Sequence, residues 1–313
     1  MTDPTEMVIN GVLAAALGIF AISALLVWAS RRRGRGLDAA AVPGDFPGTD
    51  EDSPFLPPMN AACPPQMPPP PVGKVAVWIY RPWDLLGVAF VFVIFGGLVI
   101  YALRNPGNPD DPLTPEALLV NIGFQFLLAG IVTVLMTCRV RLDSWLGLRW
   151  LGWRWVFLIA PGAVFLMWMV FGGLQISGYV EWMESLGVET VQDTVQLLQE
   201  SNDPLLLGLM AFAAVIAAPL CEEIVFRGYF YPVMKKFAGI WPAAICSALV
   251  FSAAHGNLTA VLPLFLFGGL LVFIYEKTGS LWAPIAVHFC FNGATVAIQM
   301  AARYYNLPLD VPQ

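Results

Sequence analysis

The sequence predicts an all-α fold: a polytopic membrane bundle of about eight transmembrane helices. Three observations carry that prediction. The 313 residues are 58% hydrophobic and 12% charged, with a mean hydropathy of +0.70, whereas average chains are about 45–50% apolar and about 25% charged. The apolar residues gather into runs near the ~20-residue length that a bilayer requires. Basic residues fall almost wholly on one side of those runs. Collagen, coiled coil and wholesale disorder are excluded by the same composition. A net charge of −6 offers no basic footprint for a nucleic-acid partner. Five cysteines (Cys63, Cys138, Cys221, Cys246, Cys290) are an odd number, mostly in or beside apolar runs, which argues against a disulfide framework.

The first element, residues 1–36, is a membrane anchor. Its apolar run 7–30 follows Asp3 and Glu6 and precedes Arg31, Arg32, Arg33 and Arg35. A cleaved signal peptide carries its positive charge before the apolar run, so this segment reads as a retained helix with its N-terminus outside. Residues 37–82 hold eleven prolines between Pro43 and Pro71 and read as a flexible Pro-rich linker. Further apolar spans follow at 84–103, 117–137, 155–177, 205–226, 241–257, 258–276 and 281–302. With the N-terminus outside, the inside segments hold fourteen of the sixteen Lys and Arg residues. The outside segments hold only Arg104 and Arg303.

Between spans, the outside loop 178–203 carries six acidic residues and no basic one. Val188, Val191, Val195 and Leu198 recur there at helical spacing, as in an interfacial amphipathic helix. The inside loop 138–154 interleaves Arg with Trp145, Trp150 and Trp153, the pattern of an interface belt. Accessory spans and this amphipathic loop make a segment 83–204, a polar-bearing core covers 205–302, and 303–313 is a tail. Corresponding broken helices in two halves, which inverted-repeat transporters show, are not evident.

Charges inside apolar helices are costly and mark function. Three clusters qualify, all in the C-terminal third. In the first, Glu222 and Glu223 follow an apolar run, and Glu223 can pair with Arg227 at i,i+4. Glu222 points about 100° around the helix and lacks that partner. Such a carboxylate suits acid–base work near neutrality; a charged helix end near Lys235 and Lys236 is the competing reading. The second is Phe251 and His255, the third His288 and Asn292 on one helix face. Either could be plain helix–helix hydrogen bonding. Measured from the cytosolic helix ends at 1.5 Å per residue, Glu222 lies about 20 Å deep, His255 about 21 Å and His288 about 16 Å. The groups thus fall at roughly one depth. Together they describe amide hydrolysis: Glu222 takes a proton from water, His255 orients that water, and His288 and Asn292 donate to an oxyanion.

Glu222-Glu223-x-x-x-Arg227, Phe251-x-x-x-His255 and His288-x-x-x-Asn292 resemble, in order, the three motifs of the CAAX protease and bacteriocin-processing family of intramembrane endopeptidases. Thr278-Gly279-Ser280-Leu281-Trp282 is also similar to its members. The resemblance covers residues 205–297. It implies peptide cleavage at a site opening to the cytosol, with Glu222 as water-activating base and His255 as a second catalytic group. It also implies His288 with Asn292 as oxyanion site, and Glu223, Arg227 and Phe251 as support. Partners are then membrane lipid and a peptide or protein substrate, prenylated or leader-type, in a bacterial inner membrane. No cofactor is favoured. Zinc is the alternative, with Glu222, His255 and His288 as its three ligands beside one open position. A scaffold or immunity protein of the same fold, and a proton-coupled transporter using Glu222 and Glu223, are the alternative functions.

Overall fold

The computed structural model describes residues 4–38, 74–105, 114–147, 150, 152–188, 201 and 203–305. Within them the chain folds into helices: α1 (Pro4–Asp38), α2 (Asp84–Arg104), α3 (Pro115–Thr137), the short α4 (Leu142–Trp145), α5 (Val156–Ile176), α6 (Tyr179–Ser185), α7 (Pro204–Ala238), α8 (Ile240–Ala253), α9 (Leu258–Thr278) and α10 (Trp282–Tyr305). Seven of these are long and apolar enough to cross a membrane, and α8, at 14 residues, is a shorter apolar helix. The chain is an all-α integral membrane protein.

Helix starts and stops follow local chemistry. Thr114 caps α3 by accepting from the Ala117 N–H, Asp203 caps α7 through Leu205, and Asn257 caps α9 through Ala260. Gly279, at φ +70°, ends α9 in the left-handed region that favours glycine. Helices α8 and α9 pack as a hairpin, α1 lies against α8 and the end of α7, and α10 packs along α5. Two contacts place helix ends. Glu6 of α1 pairs with Arg104 at the end of α2 at 2.7 Å, and at the other end Arg31 donates to the Lys236 carbonyl at 3.2 Å.

Four expectations change. The span read as 205–226 is one 35-residue helix running to Ala238. It is widened by π-helical segments at Ala213–Ala217 and Glu223–Phe230, each just ahead of a proline, Pro219 and Pro232. The span read as 241–257 stops at Ala253. His255 and Gly256 close it with three-residue bonds to Ser252 and Ala253, and Gly256 sits at φ +69°, so His255 lies in the turn beyond the helix. The linker read as ending at 82 is already ordered from Lys74: Val75, Ile79 and Tyr80 are buried against the C-terminal core. Trp145, read as part of an interface belt, is buried, because its indole N–H finds a partner inside, while Trp153 is exposed. Most of the amphipathic segment after Val188, and the proline run 43–71, lie outside the described residues.

Candidate functional site

The site is built on α7 where its second π segment begins. Glu223 and Arg227 are both 0% exposed and pair through Oε1 at 2.8 Å. Two charges without water need further hydrogen bonds to persist. Arg227 gains one by donating to the Gly268 carbonyl at 3.2 Å, and its guanidinium lies 4.4 Å over the Phe251 ring. Gly268 is what lets α9 come this close: a Cβ there would meet the Ala248 Cα and the Phe251 ring at 3.2 Å.

His288 joins the pair from α10, with Nδ1 3.0 Å from the same Glu223 oxygen. Its ring stands edge-on to Phe267 and Phe251, at 5.2 and 6.0 Å between centroids. His255 reaches the same ring of Phe251 from the turn after α8, at 5.0 Å, and its Nδ1 lies 2.9 Å from the Phe251 carbonyl oxygen. A carbonyl only accepts, so His255 Nδ1 carries the proton and its Nε2 carries the lone pair in the neutral ring. The carboxylate of Glu223, already serving Arg227, is likewise an acceptor, so His288 is held as the same tautomer. Each histidine is therefore tied at Nδ1 and leaves Nε2 for other work.

Glu222 contrasts with its neighbour. It is half-buried, its Oε2 is shielded from solvent, and that oxygen has no hydrogen-bond partner. It lies within the electrostatic reach of His288, Glu223 and Arg227. Glu223 makes both of its contacts through Oε1, and its Oε2, like that of Glu222, is buried without a partner. Phe251 sits where Arg227, His255 and His288 meet, as an apolar floor.

Asn292 goes elsewhere. Its amide donates to the Ala214 carbonyl at 2.8 Å. The reason is in α7: Ala218 bonds five residues back to Ala213, and the next donor in that register would be residue 219. Pro219 has no N–H, which leaves the Ala214 carbonyl orphaned inside the bundle, where an unmet backbone group is expensive. Asn292 therefore closes a gap in the helix that carries Glu222, and its second N–H is the one that can serve a ligand.

The residues named as alternative zinc ligands, Glu222, His255 and His288, come from α7, the turn after α8, and α10. Among the described residues no group of three or more His, Cys, Asp and Glu side chains could hold a metal ion. The cysteines Cys138, Cys221, Cys246 and Cys290 are free thiols. Sequence reading missed Gly268 and Phe267, since a backbone acceptor and a packing ring carry no local signature. Pro219 was the visible sign of the gap that Asn292 fills.

Comparison with known proteins concentrates on this same stretch. The family model for the type II CAAX prenyl endopeptidase, Rce1-like, matches residues 204–294. A Bacillus subtilis protein named "Putative membrane peptidase YdiL" is 25% identical over 131 residues, which is 40% of this chain and 50% of that protein. The chain thus spans about half the length of this curated relative. No solved structure matches it. Over the stretch that holds Glu222, His255 and His288, the chain is similar to the type II CAAX prenyl endopeptidase family.

Proposed function

We propose that this protein is an intramembrane endopeptidase that hydrolyses peptide bonds of membrane-associated substrates with a Glu222-activated water. The observation that carries the reading is the contrast on one helical turn. Glu223 is engaged by Arg227 and His288 through its Oε1, while the shielded Oε2 of Glu222 has no partner and no such cation beside it; the Oε2 of Glu223 is unpartnered too. A buried polar atom left unpaired costs about 1–3 kcal/mol and calls for an explanation; a water nucleophile held there supplies one.

In the proposed step, a water donates one proton to Glu222 Oε2 and the other to the Nε2 of His255. The water oxygen bonds to the scissile carbonyl carbon, the carbonyl electron pair moves to oxygen, and Glu222 takes the departing proton. Asn292 donates to the oxyanion through its second N–H, with the His288 ring beside it, anchored at Nδ1 by Glu223. Glu222 then hands its proton to the amide nitrogen as the C–N bond breaks, giving a carboxyl and an amine product. Arg227, Glu223 and Phe251 hold the histidines in place and keep bulk water out. Activation rests on the carboxylate, without a metal.

The charge bias of the loops supports an orientation with the N-terminus outside and the site reached from the cytosolic side of a bacterial inner membrane. Substrates are membrane-associated peptides or proteins, prenylated or leader-type.

The test is comparative membrane proteomics of wild type against Glu222→Gln, with purified protein checked on a quenched-fluorescent farnesylated CAAX peptide. Uncleaved proteins should accumulate in the variant, and turnover should fall by about 10²–10⁴-fold with the thermal midpoint in detergent unchanged. Retained turnover in Glu222→Gln sinks the proposal. Turnover should also survive chelation; loss on chelation with recovery on added zinc would replace the glutamate mechanism by a metal one. Proton flux in proteoliposomes that is abolished by Glu222→Gln would favour the transporter reading instead.

A further inference from the structure

The second proline of α7 opens a second gap, and what fills it comes from outside the family-matched residues. Tyr231 bonds five residues back, to Phe226. In that register the residue-232 N–H would fall on the Arg227 carbonyl, and in the α register that resumes over Tyr231–Ala238 it would fall on the Gly228 carbonyl; Pro232 has no N–H for either. The Gly228 oxygen instead accepts from the Tyr80 hydroxyl at 2.6 Å and from the Trp145 indole N–H at 3.0 Å. Those two donors also meet each other at 3.2 Å. Gly228 permits the approach, since a Cβ there would sit 3.3 Å from the Trp145 ring. Both donors are buried, and burial pushes the Tyr80 hydroxyl well above its ordinary pKa, so it stays an O–H donor.

Neither donor is loosely placed. The strap 74–83 that carries Tyr80 is tied down along its length. The Lys74 N–H reaches the Glu276 carbonyl, and Lys235 donates both to the Val75 carbonyl at 3.0 Å and to the Glu276 carboxylate at 2.6 Å. Lys236 donates to the Tyr80 carbonyl. Trp145 is fixed through α4, whose following residue, Leu146, accepts from the Leu281 N–H at 2.9 Å at the start of α10. The bonds thus run from the strap and α4 to a carbonyl one residue after Arg227.

We infer that Tyr80 and Trp145 are positioning residues, which hold the π register of Glu223–Phe230 by satisfying the Gly228 carbonyl and thereby fix which way Glu222, Glu223 and Arg227 face. Without them, the cheapest repair is a change of register in this segment, and a one-residue change turns each side chain by about 100°. The catalytic turn is then set by a chain segment that lies outside residues 204–294. This inference rests on the proposed peptidase reading for its consequence, but its structural half is testable alone.

The experiment uses the full chain in detergent with Tyr80→Phe, Trp145→Phe and the double variant, each also made with Pro232→Ala, which restores the missing N–H. Hydrogen exchange by mass spectrometry should show amides in 223–231 opening about 10-fold faster in the double variant, from one unsatisfied buried acceptor, with α9 unchanged. In the Pro232→Ala background the double change should alter exchange less than 2-fold, by the same accounting. On the farnesylated CAAX peptide, kcat should fall about 10-fold with KM unmoved, and Tyr80→Phe alone should fall part way. Unchanged exchange in 223–231, an increase that persists with Pro232→Ala, or an unaltered kcat overturns the inference. If wild type does not cleave the peptide, the peptidase reading is what suffers, and the exchange pattern decides the register claim by itself.

Discussion

The first four spans and the last four helices are both drawn from apolar sequence, yet they do different things with it. In α1 only 11% of the apolar window is buried within the protein, and in α2, α3 and α5 it is 22%; in α7 it is 28%, in α10 33% and in α9 56%. A helix that faces lipid needs only to be apolar, because acyl chains make no directional demand. A helix enclosed by others must match shapes and satisfy every polar group. The ionic groups follow this division. Glu6, Asp84, Arg104 and Arg139 of the first region stand at or beyond helix ends, whereas Glu223 and Arg227 sit in the middle of a 35-residue helix with no exposure at all.

This contrast ranks the effect of removing one charge. The largest loss belongs to Glu223→Gln or Arg227→Met, each of which strands a dry partner charge. Either should lower the unfolding free energy in detergent by about 3–5 kcal/mol and abolish turnover. The double variant should regain much of the stability and none of the activity. If the double is as unstable as the singles, the pair acts through something other than its charge. Asp84→Asn comes next. Asp84 is 1% exposed and takes both contacts of Arg139 at 2.7 Å, the Arg81 N–H at 2.6 Å and the Tyr229 hydroxyl at 3.1 Å. Arg139 keeps some access to water, so about 2 kcal/mol is expected, read as a shift in thermal midpoint.

Asn292→Ala should cost less, about 1 kcal/mol, the scale of interhelical hydrogen bonds in membranes. Here Pro219→Ala separates two roles. With an N–H restored at 219, the stability cost of Asn292→Ala should vanish, because the Ala214 carbonyl has its own donor. Whatever loss of kcat persists then measures the second N–H acting on the reaction. Complete recovery of kcat would confine Asn292 to the helix.

The division also explains what could be read in the sequence. Apolar length and charge bias made the spans legible, and the i,i+4 spacing of Glu223 and Arg227 announced a pair that the folded chain forms at 2.8 Å. Polar residues in apolar runs were visible for the same reason: each is a local anomaly. Three things were not legible. The end of α8 before His255 depends on a turn whose only local sign is Gly256. The attachment of Tyr80 depends on a carbonyl 148 positions away, and a tyrosine after a proline run looks like any linker residue. The π widening of α7 shows in sequence only as Pro219 and Pro232, which suggest a kink as readily as a widened turn. Proline marks where a backbone bond is missing but does not say which side chain will replace it.

The smallest effect tests the contrast from its other side. Arg104 and Glu6 form a short contact, 2.7 Å, against 2.8 Å for Arg227 and Glu223. Distance alone would rank it with Glu223 and Arg227. Exposure ranks it far below, since the Arg104 side chain is 64% exposed, against 11% for Glu6, and a pair with one hydrated partner gains less than a dry one. Arg104→Gln should therefore change stability by under about 1 kcal/mol, and by less still at high salt, with turnover unchanged. The measurement is a thermal midpoint in detergent at low and high ionic strength. A loss near that of Arg227→Met would show that the ends of α1 and α2 form an enclosed polar site of their own, and the distinction between lipid-facing frame and shielded core would fail at its simplest point.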